Sequence, residues 1–168
     1  TVSSFLEFEA LQPRAWGATP EQGRQLQNIY EAFAALAAED MGAYYIPHLS
    51  EVRHIHGYIF EGVAAAVRWS DTPETTRTAK PYVQFVSWLP DRASGIACIV
   101  TTNLTYPYAP AVSEEIDYFQ HEQAGVEELL QLHRQHTLRH GKAQKVIAEA
   151  GWLKAWQSVH SLNFAAWQ

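Results

Sequence analysis

Residues 82–104 constrain the fold most. They read Tyr82-Val83-Gln84-Phe85-Val86-Ser87-Trp88-Leu89, then Pro90-Asp91-Arg92-Ala93-Ser94-Gly95, then Ile96-Ala97-Cys98-Ile99-Val100-Thr101-Thr102-Asn103-Leu104. Runs rich in β-branched and aromatic residues flank a segment of Pro, Asp, Ser and Gly. This predicts a β-hairpin closed by a loop, with strands over about 82–89 and 96–104. In the second run Ile96, Cys98, Val100 and Leu104 are apolar, while Thr101 and Asn103 fall on the other side. A period of two places one face of that strand in a core. The first run is apolar on nearly both sides, as in a strand covered on both faces. Another strand is predicted over about 57–69, which gives an antiparallel meander of at least three strands if sequence neighbours pair. Its small residues Gly62, Ala64, Ala65 and Ala66 allow a helix or a ligand to approach the sheet closely.

Helices are predicted on either side of this β region. Thr19-Pro20-Glu21-Gln22 supplies an N-cap, a proline at the first helical position and a glutamine that can close a capping box. The stripe Leu26, Ile29, Tyr30, Phe33, Leu36 and Ala37 then runs on to about Asp40, with Gly42 placed as a C-cap. A short helix is expected before Pro13, capped by Ser3 or Ser4. Residues 43–56 read as transitional, Ser70 to Pro81 as a polar loop, and Tyr106-Pro107-Tyr108-Ala109-Pro110 as the end of the β region. Ser113 followed by Glu114, Glu115 and Asp117 predicts a further helix, carried by Ile116, Phe119, Val126, Leu129 and Leu130 across Gly125. A last helix starts near Lys142 and carries Val146, Ile147, Leu153 and Trp156. The expected fold class is therefore α+β: an antiparallel sheet packed by an N-terminal capped helix and a C-terminal helical pair, in one domain over residues 1–168.

Composition narrows the function classes. A net charge of −6 opposes a nucleic-acid role, which draws on clustered Lys and Arg. No apolar run approaches the length of a membrane span and no secretory signal is visible, so a cytoplasmic setting is expected. The sequence opens on Thr1 rather than Met, as in a segment excised from a longer chain. The one cysteine, Cys98, sits in an apolar strand and reads as a small buried hydrophobe. Aromatic residues reach 12% of the chain, enough to build an aromatic core and also line a pocket or an interface.

Eight histidines raise the question of a metal. His54-Ile55-His56 aims its imidazoles to one side of an extended segment, and Glu61 follows. That spacing resembles the first metal motif of cupins. The resemblance covers only these residues: His48 stands where the motif has a glycine, and a second motif is missing after the hairpin. In a continuous strand Glu61 would point away from His54 and His56. His121 is the other candidate ligand, if its segment packs opposite them. His133, His136 and His140 are spaced along one side of a helix, within reach of a common ion or simply covering apolar surface at a helix end. Phosphate loop, nucleophile elbow and cysteine zinc pattern are all absent from the sequence.

The leading expectation is a non-catalytic, sensor-like or accessory domain. It binds a small apolar or aromatic ligand, or a protein partner, and Tyr44, Tyr45, Tyr58, Phe60, Tyr106 and Tyr108 are the candidate contacts. No cofactor is predicted for it, and homo-oligomers are compatible with it. The competing expectation is a metal-dependent enzyme that holds a divalent ion with His54, His56 and Glu61 or His121.

Overall fold

A computed structural model describes residues 5–11, 19–47, 49, 52–70, 80–105 and 112–167. In chain order the elements are β1 (Glu9–Leu11), α1 (Pro20–Ala35), β2 (Glu39–Tyr45), β3 (His54–Phe60), β4 (Val63–Trp69), β5 (Tyr82–Trp88), β6 (Cys98–Thr102), β7 (Ile116–Gln120), α2 (Val126–Leu138) and α3 (Ala148–Ala166). The strands form one seven-stranded sheet in sequence order. All pairs are antiparallel except β6–β7, which is parallel. The fold is α+β, as the hydrophobic patterning implies.

Strand alternation assigns the side chains to two apolar layers. On one face Tyr58, Ala65, Val67, Val83 and Phe85 pack with Leu26 and Phe33 of α1 and Leu129 and Leu130 of α2. On the other face Ile55, Ala64, Ala66, Val86, Cys98, Val100 and Ile116 pack with Trp152, Ala155 and Trp156 of α3. Phe85 and Val100 are both buried, one in each layer, so the hairpin at residues 82–104 is central to the core.

Helix α1 begins as its cap signal predicts: Thr19 Oγ1 accepts from the Gln22 N–H at 3.1 Å, and Pro20 occupies the first turn. It ends earlier than the stripe suggests. Ala37 takes the left-handed position after the last turn (φ 56°), and Ala38 N–H donates to the Phe33 carbonyl at 3.1 Å. Gly42 is thereby freed from capping. It lies in a β-bulge of β2, where the register shifts between Asp40 and Gly42 and Asp40 Oδ1 accepts from the Gly42 N–H at 2.7 Å.

Several expected elements are replaced by others. The single strand over 57–69 is a hairpin of β3 and β4, turning at Glu61 (φ 47°) and Gly62 (φ 81°). Consecutive left-handed residues are what a tight hairpin turn with right-twisted strands requires. Residues 43–56 include the end of β2 and the start of β3 rather than a transition. The described part of the N-terminal segment is extended and pairs with β2, not helical. Ser113 does not cap a helix: it accepts from the Ile116 N–H in a turn, and residues 116–120 form β7 against β6. Helix α2 starts only after Gly125, and α3 starts at Ala148 and continues through Leu162 and Phe164. Tyr106, Tyr108 and most of the polar loop, residues 71–79, lie outside the described residues.

Candidate functional site

The histidines come first, because they carry the metal expectation. His54 and His56 do share one face of β3, as alternation requires. Each is occupied there. His54 is buried and stacks on Trp69 at 5.1 Å. His56 Nε2 lies 2.7 Å from Asp40 Oδ1, and its ring stacks on Tyr58. Glu61 stands in the hairpin turn and pairs with Arg134 of α2 at 2.8 Å. His121 follows β7, four strands from β3 and so about 19 Å across the sheet. The four candidate ligands occupy separate places. Among the described residues, no group of three or more His, Cys, Asp or Glu side chains is placed to hold a metal ion.

The helical histidines do not converge on a common point either. Each meets its own partner on the sheet. His140 Nε2 lies 2.7 Å from Asp117 Oδ2. His136 stacks on Phe119 at 3.6 Å and sets its Nε2 2.9 Å from His121 Nε2. Burial, then the adjacent His121, lowers its pKa. His133 is buried between two hydroxyls: Ser87 Oγ is 2.8 Å from Nε2 and Thr101 Oγ1 is 2.8 Å from Nδ1. Burial, then the neighbouring His136, lowers its pKa to about 3. A Ser–His contact of this length is the geometry of an activated nucleophile. Here, however, Ser87, Thr101 and His133 are at most 3% exposed, so no substrate reaches the serine. A neutral imidazole offers one donor and one acceptor, and each hydroxyl can answer either. The triplet satisfies buried polar groups between α2 and the sheet.

The candidate aromatic ligand contacts divide between the faces of the sheet. Tyr44 faces α3, stacks on Trp152 at 5.6 Å and places its hydroxyl 2.7 Å from Glu149 Oε1. Burial, then that carboxylate, pushes its pKa up to about 12. Tyr58 faces the opposite way and stacks on Phe33 at 4.2 Å. Burial raises its pKa also. Phe60 lies under the Arg134 guanidinium, and Tyr45 accepts from Arg53 Nη1. Tyr44, Tyr58 and Phe60 belong to the two cores, Tyr45 is half-buried beside Arg53 and His54, and the structure does not gather the four around one space.

A different set of residues surrounds a cavity. The sheet face toward α3 is graded along the strands. Beneath the first turns of α3 it presents Ile59, Gly57, Ala64, Ala66 and Val86. Gly57 permits direct contact with Trp152, whose indole Nε1 donates to the Ala65 carbonyl at 2.9 Å. Beneath the C-terminal half of α3, the same face presents Arg68, Tyr82, Gln84 and Tyr118. There the helix no longer touches the sheet closely, and a cavity of about 200 Å³ remains. Ile46, Ile55, Val100, Leu104 and Ile116 make its apolar walls, with Trp156, Val159, His160 and Asn163 above.

The polar atoms in this cavity are unusual. Arg68 Nε, the Tyr118 hydroxyl and Trp156 Nε1 are buried and have no hydrogen-bond partner among the described residues. The Tyr118 pKa is raised by burial and then by nearby Tyr82. Buried polar groups are nearly always satisfied, and each one left alone costs roughly 1–3 kcal/mol. Such atoms also occur elsewhere, at Tyr30, Trp69 and Trp88, and what distinguishes this cavity is that three of them belong to residues lining one space. Comparisons with known proteins bring no parallel: no family model, curated protein or solved structure matches the chain.

A second depression of about 600 Å³ lies beside α3, lined by Trp88, Arg92, Lys145, Ile147, Lys154 and Leu162. It is larger but more open, and of its lining residues Trp88 alone has a buried side-chain donor without a partner among the described residues, against three in the first cavity. The enclosed cavity is the better site.

The cavity residues carry a sequence signal, one of parity. Arg68, Gln84 and Tyr118 stand at inward positions of otherwise apolar strands. The signal becomes readable only once the turn at Glu61–Gly62 and the strand at 116–120 set which positions are inward.

Proposed function

We propose that the protein is a binding module that takes a small, largely apolar molecule into the cavity between β3–β7 and the C-terminal half of α3. The observation that carries this reading is the set of buried donors without a partner among the described residues, at Arg68, Tyr118 and Trp156, around a largely apolar cavity. A cavity of about 150 Å³ accommodates one benzene ring. The space here, about 200 Å³, suits a single ring or a short branched chain with a polar substituent. The apolar walls supply affinity, and the few donors orient the guest. The reading keeps the ligand class expected from the aromatic composition and moves the site to different residues.

A thermal-shift screen of one-ring compounds against wild type and Val159→Phe tests it. Val159 lines the cavity from α3, and a phenyl group there fills the space. A ligand at about 100 times its Kd adds about 2.7 kcal/mol of stability, or roughly 5–10 °C in Tm for a chain of this size. Hits should raise the Tm of wild type and leave the variant unmoved. Hits that raise both equally bind elsewhere and contradict the proposal.

A further inference from the structure

The proposed site also specifies the charge of its guest. Among the described residues that line the cavity, Arg68 is the only Lys or Arg, and none is Asp or Glu. Its Nη2 donates to the Val52 carbonyl at 3.2 Å, which fixes the guanidinium at one corner. Its Nε is buried without a partner, and among the described residues no carboxylate pairs with the group. A half-buried cation with an unpartnered Nε–H and no counter-ion among the described residues calls for an anion, because a charge taken from water is costly unless it is paired. The remaining unpaired atoms, the Tyr118 hydroxyl and Trp156 Nε1–H, are donors as well.

We infer that the ligand is a small organic monocarboxylate: a compact apolar body set against Ile55, Val100 and Ile116, with its carboxylate on the Arg68 guanidinium. This rests on the cavity reading above. It excludes amines, which would meet Arg68 as like charges. It also disfavours neutral isosteres, which leave the cation unpaired.

Benzoate, benzyl alcohol and benzylamine share one ring and differ in the charge of the head group, so they separate the possibilities. Titrations followed by amide and indole NMR shifts at the cavity residues should show benzoate binding at least about tenfold more tightly than benzyl alcohol, the factor expected of one charge-assisted hydrogen bond. Benzylamine should bind most weakly. Arg68→Gln should erase the preference for benzoate over benzyl alcohol, while Arg68→Lys, which keeps the charge, should retain part of it. A purely structural role for Arg68 would not produce that split, and the wild-type ranking remains decisive if Arg68→Gln fails to fold. Benzyl alcohol binding in the cavity as tightly as benzoate would overturn the anion inference and leave the cavity reading intact. Failure of all three compounds to shift any cavity residue would overturn both.

Discussion

The Trp152 indole packs directly on the backbone of Gly57: a β-carbon there would lie 2.4 Å from indole Cε2 and Cζ2. Helix α3 is anchored to the sheet at this contact, and the anchor sets the height at which its C-terminal half spans the cavity. The indole has little room to yield, since its Nε1 is bonded to Ala65 and its ring stacks on Tyr44. Gly57→Ala should therefore destabilise the fold by about 1–3 kcal/mol through overpacking. Urea melts measure this directly. An unchanged midpoint would mean that α3 is not held at this point.

Ala37 holds a left-handed conformation at the end of α1, where glycine is the usual residue. The strain of that backbone for an L-residue is roughly 1–2 kcal/mol. Ala37→Gly should recover part of it and stabilise the protein by about 0.5–1 kcal/mol, despite the added freedom of the unfolded chain. A lower stability in the same melts would show that Ala37 is not strained.

His133 makes the protein acid-sensitive in a defined window. Its folded pKa of about 3 lies below the unfolded value of 6.5, so the folded state resists the proton that the unfolded chain accepts. The stability contributed by the neutral imidazole is fully present above about pH 6.5 and falls as the pH drops toward 3, by at most about 1.4 kcal/mol per pH unit. His133→Gln can still meet Ser87 or Thr101 but does not titrate. Its stability should fall less steeply than that of wild type between pH 6 and 4, whatever its absolute value. Parallel slopes for the two proteins would assign the acid sensitivity to other groups.

The core hairpin and the start of α1 were legible because their signals are local. Alternation across 82–104 and the run Thr19-Pro20-Glu21-Gln22 need no distant partner to be read. The missed elements depend on context. The turn between β3 and β4 uses Glu61 where Asn, Asp or Gly is common, so a run with no recognised break reads as one strand. Residues 113–120 carry an acidic start suited to a helix dipole, yet Ile116 and Tyr118 meet the sheet because β6 offers an open parallel edge. The candidate site was lost with these elements. His54 and His56 drew attention by residue type, whereas Arg68, Gln84 and Tyr118 matter by position on a sheet face that emerges only when all seven strands are in register.

The binding claim turns on one atom that can be watched. The chain has six tryptophans, each with an indole N–H signal in a nitrogen–proton NMR spectrum. The Trp152 N–H is already bonded to Ala65, whereas Trp156 lines the cavity and its N–H has no partner among the described residues. Titration with benzoate, with the Trp156 signal assigned by its loss in Trp156→Phe, should move the Trp156 resonance saturably and leave that of Trp152 nearly still. A titration that moves Trp88, in the second depression, or Trp152 while Trp156 stays fixed would contradict the account.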